Sequence, residues 1–149
     1  MSASVSLTDL RAAYKRTSSR IYRILEDGYD FGFSDLVIEA LDRDALIINA
    51  AFFVLVFGQM ESRINQLAAS RVTMETERQA LREQKFARRT GLALPGPGNR
   101  AARDEIAVWY DLRNDAAHGE RLVEYDIDAI FERADQLEAM IRGEANAGR

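Results

Sequence analysis

The chain has 149 residues, 47% of them apolar and 30% charged, with a net charge of −4 and only 2 prolines. That balance describes one folded domain with a real core and excludes a disordered chain; the acidic total also argues against indiscriminate coating of DNA. With no cysteine in the chain, disulfides, thiolate metal sites and cysteine nucleophiles are excluded. The first residues lack a basic stretch followed by an apolar run, so no secretory signal is read and the cytoplasm is the expected setting. The longest apolar stretch, residues 45–58, falls short of the roughly 20 residues that a bilayer span needs, so no membrane association is expected.

Leu7, Leu10, Tyr14, Thr17, Ile21, Ile24 and Leu25 recur at helical spacing around Thr8, which can serve as an N-cap, and predict a first helix over residues 8–26. Its other face carries Arg16, Arg20 and Arg23 and reads as a solvated basic surface. Two glycines and two aspartates make residues 27–34 a loop, with Ser34 able to cap the next helix. Tyr29, Phe31 and Phe33 alternate along that loop and are expected to fold inward and seal one end of a helical bundle. Residues 35–70 read as a single helix whose apolar part, 45–58, should be central and covered on several sides. Asn49, Gln59, Glu61 and Asn65 on it are expected to serve as caps, surface groups or interhelical hydrogen-bond partners.

Residues 72–89 are rich in helix formers, and the glycines and prolines of residues 90–99 then interrupt the helix. A further helix should begin near Arg100, capped by Asn99, run through Ile106, Trp109 and Leu112, and end near Gly119. Asp126 can cap a last helix with Ile127, Ile130, Phe131, Ala134, Leu137 and Ile141 as its apolar stripe. A disordered tail is expected from about residue 143. The expected fold is therefore a single all-α domain, a compact bundle of about four to five helices.

Charge is uneven along this chain: residues 78–103 carry seven basic groups against one acidic group. Such a segment beside an acidic body can hold a phosphate backbone, and Arg82, Lys85, Arg88, Arg89, Arg100 and Arg103 are its candidate RNA-binding residues.

The most specific feature is Leu112-Arg113-Asn114-Asp115-Ala116-Ala117-His118-Gly119, which holds the only histidine in the chain. On a helix Asn114 and His118 are i, i+4 neighbours, so the amide can orient the imidazole, while Arg113 lies one residue round with the reach to join them. Cleavage of RNA without a metal needs a base for the 2′-hydroxyl proton, an acid for the departing 5′-oxygen, and positive charge on the phosphoryl oxygens. Histidine and arginine supply these groups, and a guanidinium can grip two phosphoryl oxygens at once. A single histidine cannot be base and acid simultaneously, whereas a twofold dimer brings two copies of one patch face to face.

An R-N-x-x-x-H sequence at the end of a helix, followed by glycine and one more amphipathic helix, resembles the HEPN domain. The resemblance implies a small helical bundle that dimerises and acts as a metal-independent endoribonuclease in toxin–antitoxin, antiphage or RNA-processing systems. It gives Arg113 and His118 the catalytic roles, places Asn114 beside them, and implies an RNA substrate, a homodimer, a cognate antitoxin protein and no cofactor or metal. The toxins of this family that pair with nucleotidyltransferases usually carry a tyrosine two residues after the histidine; Glu120 stands there, so control by modification at that tyrosine is not carried over. A HEPN module without activity, binding nucleotide, RNA or a protein partner, is the second reading. The structural alternatives are His118 as a helix C-cap group and Arg113 as an ion-pair partner of nearby carboxylates. Asp115 and His118 have the spacing of metal-ligand pairs in helical di-metal proteins, but those sites need two histidines.

Overall fold

In a computed structural model, residues 5–119 and 125–147 are described. Their regular structure is all helical: α1 (Leu7–Phe31), α2 (Asp35–Ser70), α3 (Glu75–Glu83), α4 (Phe86–Ala93), α5 (Arg100–His118) and α6 (Ile127–Ala147), with a short 3-10 turn at Pro97–Asn99 before α5. The protein is thus all-α, with one helix more than the upper end of the expected range among the described residues. None of these helices is long and apolar enough to cross a membrane.

The extra helix arises at Gln84 and Lys85, whose ψ angles of 153° and 143° interrupt the expected 72–89 helix. On an unbroken helix Leu81 and Phe86, five residues apart, would point about 140° apart. The break lets both be buried, at 5% exposure each.

α1 starts and ends differently from the expectation. Ser6, not Thr8, is the N-cap: its hydroxyl accepts from the Asp9 N–H at 3.2 Å, and the Asp9 carboxylate accepts from the Ser6 N–H at 3.0 Å. This reciprocal pair satisfies orphan donors of the first turn. The helix then continues through Gly28 to Phe31 and stops at Gly32, whose φ of +71° favours glycine. Gly28 is the site of a close approach, since a Cβ there would lie 2.7 Å from the Phe33 ring. Extending the helix turns Tyr29 and Phe31 outward, at 64% and 80% exposure, so they do not seal the interior as expected.

α2 keeps the expected bounds, and the Ser34 carbonyl receives the Ile38 N–H of its first turn. Its apolar segment is not covered all round, because Ile47, Ala51 and Leu55, four residues apart, are exposed along one face. α6 is capped as expected, with the Ala129 N–H donating to Asp126 Oδ1 at 3.0 Å. It runs to Ala147, through the region expected to be a disordered tail.

The chain divides into two compact units, Met1–Val56 with Arg113–Phe131, and Phe57–Leu112 with Glu132–Arg149. The first is organised around Tyr14, whose hydroxyl donates to Asn49 Oδ1 at 3.0 Å and whose ring meets Phe52 edge-on at 5.3 Å. Phe131 of α6 lies 6.1 Å from the same ring, with the Arg11 guanidinium over Phe131 at 5.4 Å. Phe53 stacks on Tyr125 at 4.7 Å. Asn49 thus serves in an interhelical hydrogen bond, the ordinary fate of a buried amide.

The second unit centres on Phe57, Phe86 and Tyr110: the latter two rings stack at 4.6 Å, and Phe57 meets Phe86 at 5.7 Å. Its polar ties converge on Glu144. Arg71 Nη2 donates to the Glu144 backbone carbonyl and carboxylate at 3.0 and 3.1 Å, and the Asn99 amide donates to the same carboxylate at 2.7 Å. The Asn99 NH2 donates to Glu144 and to the Pro95 carbonyl, and its Oδ1 accepts no N-cap bond from α5 among the described residues.

The Asn99 hydrogen bond, and after it Arg71, holds the Glu144 carboxyl below its ordinary value of 4.5. A carboxyl lowered on folding contributes stability above its unfolded pKa, and that contribution is lost as pH falls through the folded value. Between about pH 5 and pH 3, wild type should lose stability faster than Glu144→Gln in urea unfolding series. Parallel pH profiles of the two proteins would contradict the role given to this carboxylate.

Candidate active site

The motif lies on the last turns of α5, and all three of its candidate residues belong to the first unit. Arg113 and Asn114 are half-buried, and His118 is exposed. Helical geometry sets the spacing, and Gly119 sets the exit: its φ is +69° and its N–H donates to the Ala116 carbonyl at 3.3 Å. This left-handed residue ends the helix immediately after His118 and leaves the imidazole on the terminal turn. A non-glycine residue at 119 would be strained in that conformation.

Arg113 Nη1 donates to Asn114 Oδ1 at 2.9 Å. The structure thus joins two of the three candidate residues, but not the pair expected from i, i+4 spacing. No hydrogen bond links Asn114 to His118, and the imidazole makes no hydrogen bond or ion pair among the described residues. What the arrangement offers chemically is an exposed imidazole at a helix end and, five residues earlier and about 140° round the helix, a guanidinium bonded to its neighbouring amide. Asp115 is near enough to Tyr125 that its charge, after burial, pushes the Tyr125 hydroxyl up. Glu120 lies outside the described residues. Among the described residues, no three His, Asp or Glu side chains are grouped so as to hold a metal ion.

The basic segment belongs to the second unit, and its members divide by role. Arg103 donates to the Leu94 and Gly96 carbonyls at 2.6 and 2.8 Å, tying down the turn before α5. Arg89 pairs with Glu61 at 3.9 Å and lies over the Phe86 ring at 5.5 Å. Both are engaged within the protein, and their partners explain their presence without RNA. Arg100 is exposed and sits 3.7 Å from Asp104, one helical turn on, an arrangement of small energetic weight. Lys85 and Arg88 are exposed. The side chain of Arg82 lies outside the described set.

Comparison with family models, curated proteins and solved structures found no match to this chain. The family resemblance accordingly rests on residues 112–119 and on the helical order around them.

Proposed function

We propose that this protein is a metal-independent endoribonuclease of HEPN type, acting in the cytoplasm as a homodimer, in a toxin or antiphage defence setting with a cognate antitoxin. The observation that supports it best is the C-terminal end of α5, where Arg113 and Asn114 are hydrogen-bonded and His118 stands exposed before a left-handed glycine. In the reaction, the 2′-oxygen attacks the adjacent phosphorus while a neutral His118 takes the 2′-hydroxyl proton. The bond from phosphorus to the 5′-oxygen breaks, and that oxygen receives a proton from a second, protonated His118 supplied by the partner subunit. The products are a 2′,3′-cyclic phosphate and a 5′-hydroxyl. Arg113 stabilises the charge that builds on the phosphoryl oxygens, and Arg82, Lys85, Arg88 and Arg100 are the basic residues assigned to hold the RNA strand.

Induced expression in a bacterial host tests the reading in the cell. Wild type should arrest growth with loss of intact RNA, and His118→Ala at equal protein level should not. Growth arrest that persists in His118→Ala would instead favour a module that acts by binding.

A further inference from the structure

Within the first unit α1 and α2 form an antiparallel hairpin: the Tyr14 hydroxyl of one donates to Asn49 of the other, and only residues 32–34 connect them. A helix is about 10–12 Å across, so the last turn of α1, the connection and the first turn of α2 make one small tip. Its backbone is fixed. The N–H groups of Gly32 and Phe33 both donate to the Gly28 carbonyl, and the Phe33 ring occupies the space that a Cβ on residue 28 would need.

The tip is apolar although it faces water. Phe31 and Leu36 are 80% and 78% exposed, and Tyr29, Phe33 and Val37 are exposed beside them. The three rings alone leave about 300–450 Å² in water, as much as the largest apolar patch of an ordinary monomer. Exposure on that scale marks an interaction surface.

Charge decides what kind of partner fits it. Residues 26–39 carry five carboxylates and no basic group. Glu26, Asp27, Asp30, Asp35 and Glu39 are all exposed, and none of these carboxylates makes a hydrogen bond or ion pair among the described residues. Asp27 and Asp30 also stand near the C-terminal end of α1, where the helix dipole is negative and the last turn holds no basic side chain. That placement is unfavourable in the free protein, and a cation brought to it relieves the repulsion. A second copy seated there by a twofold axis would set the same five carboxylates against each other. The anionic surfaces of RNA and of lipid are repelled as well.

We propose that the α1–α2 tip docks a basic amphipathic helix of another protein, with its apolar side chains on the exposed rings and Leu36 and its lysines or arginines on the surrounding carboxylates. An apolar contact ringed by opposite charge draws affinity from burial and orientation from the charges. The proposal does not depend on ribonuclease activity.

Fluorescence anisotropy of labelled model peptides of about 18 residues, titrated with the full chain at about 0.15 M salt, tests it. The first peptide has leucines on one helical face and lysines on the other, the second has the same residues shuffled so that no apolar face forms, and the third has glutamate in place of lysine. Saturable one-to-one binding of the first is expected, at least about tenfold tighter than the second, with no binding of the third. Phe31→Ser combined with Leu36→Ser, and separately Asp27→Asn combined with Asp30→Asn, should each weaken it about tenfold without lowering the melting temperature. Val108→Ser, at an exposed apolar position on α5, should bind as wild type does. No saturable binding, equal binding of the first two peptides, or full binding by the Phe31→Ser, Leu36→Ser variant would overturn the proposal. So would self-association, or binding to phosphatidylcholine–phosphatidylglycerol vesicles, that the same variant abolishes, because either gives the tip to a different occupant.

Discussion

Replacing His118 by alanine should lower the rate of RNA cleavage by about 10²–10⁴-fold, the contribution typical of a positioned acid–base group. Stability should change by no more than about 0.5 kcal/mol, as for an exposed side chain with no special role in the fold. The split matters because His118 also sits where a stabilising helix cap would sit. It is exposed and makes no hydrogen bond among the described residues, so a structural role predicts loss of stability that the geometry does not support. Cleavage rates and urea midpoints measured on the same preparations separate the two. Arg113→Ala is less clean, since Arg113 is half-buried and bonded to Asn114. Arg113→Lys retains the charge while removing the planar fork, and should recover only part of the rate if two-oxygen contact to the phosphate matters.

The largest effect on stability is expected from Phe57→Ala. Phe57 is fully buried, meets Phe86 at 5.7 Å and lies 6.1 Å from Tyr110. Truncation removes the transfer energy of the ring and leaves a cavity, a loss of about 3–5 kcal/mol. That is a large share of the 5–15 kcal/mol (roughly) that holds a domain of this size folded. Guanidinium unfolding checks it, and a loss below about 1 kcal/mol would mean that the aromatic cluster is not central to its unit.

Signals that depend on neighbours in sequence proved legible. Asp126 as a cap, Gly119 as a left-handed terminus and the bounds of α2 all arise from local geometry, and the structure has each of them. The helix that carries Arg113, Asn114 and His118 is legible for the same reason, but the pairing expected on it is not, since the Asn114 amide oxygen accepts from Arg113 and makes no bond to His118 among the described residues. The break at Gln84 and Lys85 was not legible, because neither proline nor glycine marks it and the burial of Phe86 drives it. Gly28 misled in the opposite direction, since its close contact with Phe33 lets a helix pass through a glycine that looked like a loop residue. Arg89 and Arg103 read as part of a basic patch, yet Arg89 meets Glu61, and Arg103 meets backbone carbonyls of the preceding turn.

The central claim is that the end of α5 is a ribonuclease site that works without a metal. Incubating defined RNAs with purified wild type, Arg113→Ala and His118→Ala in excess chelator, and identifying the new termini, tests it most directly. Cleavage by wild type alone, leaving 2′,3′-cyclic phosphate and 5′-hydroxyl ends, is the predicted result. No cleavage by any of the three across varied RNAs, or equal cleavage by wild type and His118→Ala, would contradict it.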